Sequence, residues 1–252
     1  MTAERSSLPA WKYAWPGRPD HTADAAAWNS WYTETDYGWA PASTSVRTEL
    51  NGIAPGRALD LGAGDGRHAV WPASRGWHVQ AMDFSTEALA IGRERAYAEG
   101  VKNLITWSVA DVIAHTPDPA SLDLVLAAFL HLPRTDLERT TARTARALVP
   151  GGLFLYIGHA PADKRESAGR PRTEAVLHDS AEAASWLRQS GLHVESAESR
   201  SRPVPGARRP ALDCVVLGRA GPVPGPRRLT AAPARSCPPP RPQPGSQPWN
   251  DT

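Results

Sequence analysis

The chain has 252 residues, 41% of them hydrophobic and 21% charged, which suits one globular domain with unstructured length to spare. Two cysteines exclude a disulfide framework and a C-x-x-C metal pair, and no metal site is expected. The net charge of +2 is a property of the end of the chain: Gly221–Thr252 carries Arg227, Arg228, Arg235 and Arg241 against Asp251, so residues 1–220 come to about −1. A core so close to neutral argues against a nucleic-acid partner, because phosphate neutralisation would fall to the tail. The start, "MTAERSSLPAWKYAW", lacks an apolar core of signal-peptide length, and the longest nearly apolar run, "LDLVLAAFLHL", is too short to span a bilayer. A cytoplasmic protein with no membrane contact is expected.

In chain order, residues 1–27 read as a polar extension and 28–220 as the domain. Residues 221–252, with ten prolines, read as a disordered or polyproline-like tail. An aromatic opening (Trp28, Trp31, Tyr32, Tyr37, Trp39) precedes short apolar runs that alternate with helical stretches. "RALDL" (57–61) and "HVQAMD" (78–83) predict buried strands, and 85–100 predicts a helix with Ser85 as N-cap and Gly100 ending it. Pro72, inside the helix after the first strand, should kink or shorten it. Strands follow at 104–111 and 122–129, and a T-x-x-E pair, Thr135 and Glu138, predicts a capping box. "PGG" (150–152) then breaks the pattern before a strand at 153–158. Asp179 and Glu182 open a further helix closed by Gly191, and "LHVES" and "LDCVVLG" supply two last strands. Strands alternating with helices predict a parallel α/β sheet covered on both faces, with its ligand at the strands' carboxyl ends where the strand order reverses.

The chemistry lies in "ALDLGAGDGRHAV" (58–70), where Gly62, Gly64 and Gly66 follow Asp60. Such a loop lets a ligand approach the backbone. A dinucleotide loop of the form G-x-G-x-x-G would need glycine at position 67, which is Arg67, and no G-K-[ST] follows as in a P-loop. The segment "LDLGAGDG" resembles the first motif of the class I S-adenosylmethionine-dependent methyltransferases. The resemblance continues in order, with Asp83 ending the second strand, "AD" at Ala110 and Asp111 after the third, and "LVPGG" at 148–152. "WNSWYTETDYGWAP", "GWHVQAMDFS", "FLHLP" and "YIGH" further resemble bacterial small-molecule enzymes of the thiopurine- and tellurite-type branch.

The resemblance implies a Rossmann-like, seven-stranded, mostly parallel sheet with the last strand antiparallel. It also implies S-adenosylmethionine as cofactor and a small-molecule methyl acceptor, and leaves the oligomeric state open. The glycine loop, with Asp60 and Ala63, would hold the methionine part; Asp83 would take both ribose hydroxyls and Asp111 the adenine amine. Phe84, Val112, Phe129, Tyr32 and Trp39 complete the implied cofactor contacts. The alternative for Asp83 is that it merely caps the helix beside Ser85, and for the tryptophans that they are ordinary packing of an N-terminal helix. His131 and His159, each after a strand facing the site, are the candidates to position or deprotonate the acceptor. A non-catalytic cofactor-binding module and a nicotinamide oxidoreductase remain as alternatives.

Overall fold

A computed structural model describes residues 18–35, 40–161, 174–203 and 210–221, all within one compact unit that ends at Pro222. Trp39, Tyr37 and the proline-rich tail lie outside the described residues. Two short helices, α1 (Ala25–Glu34) and α2 (Thr44–Glu49), precede β1 (Arg57–Leu61), α3 (Arg67–Ala73), β2 (His78–Asp83), α4 (Thr86–Ala98) and β3 (Ile105–Val109). Then come β4 (Leu122–Ala128), α5 (Arg134–Ala145), β5 (Leu148–His159), α6 (Ser180–Gln189), β6 (Leu192–Arg202) and β7 (Ala211–Ala220).

The seven strands form one sheet in the order β3-β2-β1-β4-β5-β7-β6. Strands β1 to β5 pair in parallel, while β7 is antiparallel to both β5 and β6. The mostly parallel α/β sheet is therefore the one expected. The central strands are buried on both faces, as their near-continuous Leu, Val and Ala runs require. One buried cluster packs Leu124, Leu126 and Leu155 against α3 and α4, and the other packs Val125, Phe154 and Val216 against α5 and α6. The strand order reverses between β1 and β4, so the loops leaving their carboxyl ends part and open a crevice.

Two local expectations change. The capping box does not form: Pro133 is the N-cap of α5, with no side-chain cap bond, and Thr135 lies inside the helix. Proline's fixed φ starts the helix early, and Glu138 pairs instead with Arg134 at 2.8 Å. The fifth strand also starts earlier, at Leu148. Leu122 pairs with Leu148 and Leu124 with Leu153, so the Pro-Gly-Gly residues loop out of a strand that continues past them. Pro72 does shorten α3, which ends one residue later at Ala73.

The glycine loop is fixed from behind. Gly66, at φ +72°, starts α3, and a Cβ there would sit 2.6 Å from the Trp107 ring and 3.0 Å from Cα of Gly92. That close approach of loop, helix and strand needs glycine. Beside it Arg95 of α4 donates to Asp65 Oδ2 (2.5 Å) and the Asp65 carbonyl (3.1 Å), both buried, and to the half-buried Ala40 carbonyl (2.9 Å). Removing one member of such a buried pair leaves an uncompensated charge. Arg95→Met is expected to lower the unfolding free energy by about 3–5 kcal/mol in urea denaturation; a midpoint equal to wild type would contradict this role.

Candidate active site

The crevice between the β1 and β4 loops holds a cavity of about 400 Å³, within the range of small-molecule sites. Its wall contains Gly62, Gly64, Asp83, Phe84, Asp111, Val112, Phe129, Tyr32 and His131, all expected from the sequence. Asp60, Ala63 and Gly66 lie behind the loop, buried and off the cavity wall, and His159 lies one ring deeper than His131.

Asp83 joins two turns. Its Oδ2 accepts the Gly64 N–H and its Oδ1 the Ser85 N–H, both at 2.9 Å. Ser85 in turn caps α4, accepting the Ala88 N–H at 3.1 Å. Asp83 is thus an anchor for the helix start and a cavity-lining carboxylate together. Each of its oxygens keeps a further lone pair for a ligand hydroxyl. Burial raises its pKa although the bonds from Ser85 and Gly64 oppose this. Asp111 is exposed and closes an Asx turn onto the Ile113 N–H at 2.8 Å.

The loop conformation fits a ligand pressed against backbone. Gly64 has φ +53°, and a Cβ there would stand 2.9 Å from the Tyr32 hydroxyl; one on Gly62 would meet Leu130 at 2.7 Å. Phe129 also adopts a left-handed conformation, φ +59°, which is strained for a non-glycine residue. Its N–H is tied to the Ile157 carbonyl at 2.7 Å, which holds the ring at the cavity edge. An adenosyl cofactor needs this set: an open glycine backbone, a carboxylate with free lone pairs, and a second acid at the far turn. The residues present fit it.

The N-terminal segment supplies a third wall that the sequence did not signal. Arg18, His21, Ala23, Asp24 and Ala25 line the cavity beside Trp28 of the aromatic opening, so residues read as an extension contribute to the site. Helix α1 is fastened by Asn29, whose Oδ1 accepts the Ser85 hydroxyl at 2.7 Å and the Glu87 N–H at 3.3 Å. Trp31 is buried in the protein, while Trp28 and Tyr32 face the cavity.

Also on the wall, Arg18 Nη2 lies 2.7 Å from His131 Nδ1. A guanidinium only donates, so Nδ1 is the lone-pair nitrogen and the neutral ring carries its proton on Nε2. Burial, reinforced by the Arg18 charge, holds the His131 pKa well below the ordinary histidine value. His159 stacks parallel to it, centroids 5.4 Å apart. His159 Nδ1 lies 3.5 Å from Asp213, and Asp213 is gripped by Arg202 at 2.7 and 3.1 Å. Burial lowers the His159 pKa, and Asp213 opposes it.

Asp60 is the most perturbed carboxyl behind the loop. Burial, with the charges of Asp83 and Asp65 adding to it, pushes its pKa up to about 8, and its Oδ2 has no partner among the described residues. The folded state keeps this proton to about pH 8, whereas the unfolded chain releases it near 3.8. The stability it contributes is therefore full below about pH 4 and is lost as pH rises to about 8. Asp60→Asn, which cannot ionise, is expected to gain on wild type by on the order of a few kcal/mol between pH 5 and pH 9 in urea denaturation. A difference independent of pH would contradict the assignment.

Comparison with known proteins finds methyltransferases similar in sequence and in fold. A family model described as a methyltransferase domain matches residues 58–152, from β1 to the turn within β5. The chain is 33% identical over 131 residues to the demethylmenaquinone methyltransferase of Thermus thermophilus, covering 51% of this chain and 57% of that protein. It is 26% identical over 166 residues to a ubiquinone biosynthesis O-methyltransferase of Xylella fastidiosa, covering 60% and 65%. The chain thus spans less than two thirds of the length of these curated relatives. Among solved structures, phosphoethanolamine N-methyltransferase 2 of Haemonchus contortus, in complex with S-adenosyl-L-methionine, superposes with a TM-score of 0.57. Its identity is 17%, over 79% of this chain and 57% of that one, and shows the shared fold. Residues 58–152 thus match a methyltransferase domain, and the strand order is the fold shared with the solved methyltransferase.

Proposed function

We propose that this protein transfers a methyl group from S-adenosylmethionine to a small-molecule acceptor. The observation that carries this reading is the Asp83 carboxylate, bonded to the glycine loop through Gly64 and still lining the cavity. S-adenosylmethionine, when bound, supplies the activated methyl group. The loop Gly62–Gly66, with Ala63, holds the methionine part, and Asp60 supports that loop from behind. Asp83 takes the ribose hydroxyls in charge-assisted bonds. Asp111, Val112 and Phe84 take the adenine. Tyr32 and Trp28 cover the cavity from α1 and keep water out, and their ring faces suit a sulfonium cation.

His131 faces the acceptor, and His159 acts through it by stacking. The chain's task is alignment of nucleophile, methyl group and sulfur, with solvent excluded. The named relatives act in quinone biosynthesis, while the motifs around Tyr32, Phe129 and Tyr156 resemble the thiopurine- and tellurite-type branch. Both resemblances favour a small acceptor. No helix among the described residues is long and apolar enough to cross a membrane, in keeping with action on a freely diffusing molecule in the cytoplasm.

Calorimetric titration with S-adenosylmethionine, S-adenosylhomocysteine and NADH tests this. Micromolar binding of both adenosyl ligands and none of NADH is expected. Asp83→Asn should weaken the adenosyl ligands by about 2–3 kcal/mol, roughly 30- to 150-fold. Binding of NADH alone, or unchanged affinity in the variant, would overturn the reading. Formation of S-adenosylhomocysteine with an added acceptor separates an enzyme from a non-catalytic binding module.

A further inference from the structure

The turn after β3 has no element of its own to hold it. β3 ends at Val109 and β4 begins at Leu122, with no helix or strand between them. Yet Asp111, Val112 and Ile113 of this stretch all line the cavity. Its start is tied to the sheet, since the Ala110 N–H donates to the Asp83 carbonyl at 3.0 Å. Beyond that the chain closes one turn on itself, with the N–H groups of Ala114 and His115 donating to the Asp111 carbonyl at 3.1 and 3.2 Å. A lone turn is marginal in water, and Pro117 and Pro119 give it no continuation.

Arg143, in the last turn of α5, grips this turn from outside. Its Nη2 donates to the Ile113 carbonyl, 30 residues away in sequence, and to the Thr140 hydroxyl at 3.4 Å. Ile113 is therefore held from both sides. Its N–H donates to Asp111 Oδ1 at 2.8 Å, and its carbonyl accepts from a guanidinium in a charge-assisted bond. Val112, between them, belongs to the same buried cluster as Leu137 and Ala145 of α5. Asp111 itself is exposed, and among the described residues its side chain bonds to the Ile113 N–H alone. The direction of its carboxylate is thus set by the peptide that Arg143 holds.

We infer that Arg143 is a positioning residue for the base of the cofactor: by holding the Ile113 carbonyl it aims Asp111, and so sets the preference of the cavity for a base bearing an exocyclic amine over one bearing a carbonyl. This rests on the cavity being the cofactor site proposed above. An amine donates to the carboxylate, whereas a carbonyl brings a second acceptor against it and leaves both unpaired. Discrimination requires the carboxylate to stand still, which the Asx turn alone does not secure.

The test is calorimetric titration of the full chain with S-adenosylhomocysteine and S-inosylhomocysteine, which differ at that exocyclic group. Wild type is expected to prefer the adenosyl ligand about tenfold or more, and Asp111→Ala to abolish the preference. Arg143→Met and the milder Arg143→Gln should each cut it to about threefold or less, while Arg143→Lys, which keeps a cationic donor, retains more than either. Adding Arg143→Met to Asp111→Ala should leave S-adenosylhomocysteine affinity within about twofold of Asp111→Ala alone, because both act through one contact. Equal affinity of wild type for the two ligands, additive losses in the double variant, or full preference in both Arg143→Met and Arg143→Gln would overturn the inference. A wild-type protein that binds neither ligand would instead strike the cofactor reading. Amide exchange without ligand then still decides whether Arg143 holds the turn: faster exchange at residues 113–115 in Arg143→Gln, with β4 and β5 unchanged, is expected, and unchanged exchange there would refute it.

Discussion

The site depends on one carboxylate shared between two turns. Asp83 ends β2 and accepts an N–H from the turn after β1 and another from the turn after β2, through Gly64 and Ser85. Neither turn can move without breaking a charge-assisted bond in a buried place. Ser85 extends the constraint, capping α4 and donating to Asn29, so that α1 is brought over the same opening. A single acid thereby fixes the glycine loop, a helix start and the cavity's cover. Asp83 also lines the cavity, so the arrangement that makes it structural leaves it open to the proposed cofactor. Anchoring the helix start and binding a ligand are compatible roles for it.

Around that anchor charge is held by burial and by pairing. Burial, with the charges of Asp83 and Asp65, drives Asp60 to hold its proton. Arg95 binds Asp65 and Arg202 binds Asp213, so each of these buried acids has its cation. Arg18 reaches His131 from the N-terminal segment.

The sheet was legible because its strands are short apolar runs punctuated by turn residues, and Asp60, Gly62, Gly64, Asp83 and Asp111 sit at the ends of those runs. Ser85 and Asp179 act as the expected N-caps, since each has a backbone N–H three residues ahead to receive. Thr135 does not, because Pro133 sets the helix start without it. His131 and His159 looked alike, each following a strand toward the site. The register between β5 and β7, which sets His159 opposite Asp213, drew one of them inward, and no local pattern encodes that pairing. Arg18 and His21 escaped because they belong to a segment without motif or periodicity, and Arg18 meets His131 113 residues away. Asn29 lies in the quoted aromatic opening, but its partner Ser85 is 56 residues away.

The central claim is that the glycine loop, the Asp83–Ser85 turn and helix α1 form one ligand-holding unit. Amide hydrogen exchange with and without S-adenosylhomocysteine examines that unit as a whole. Slower exchange on ligand addition is predicted together at residues 62–66, 83–86 and 28–32, with β6 and β7 unchanged. Protection absent from these three segments, or confined to the β6–β7 hairpin, would contradict it.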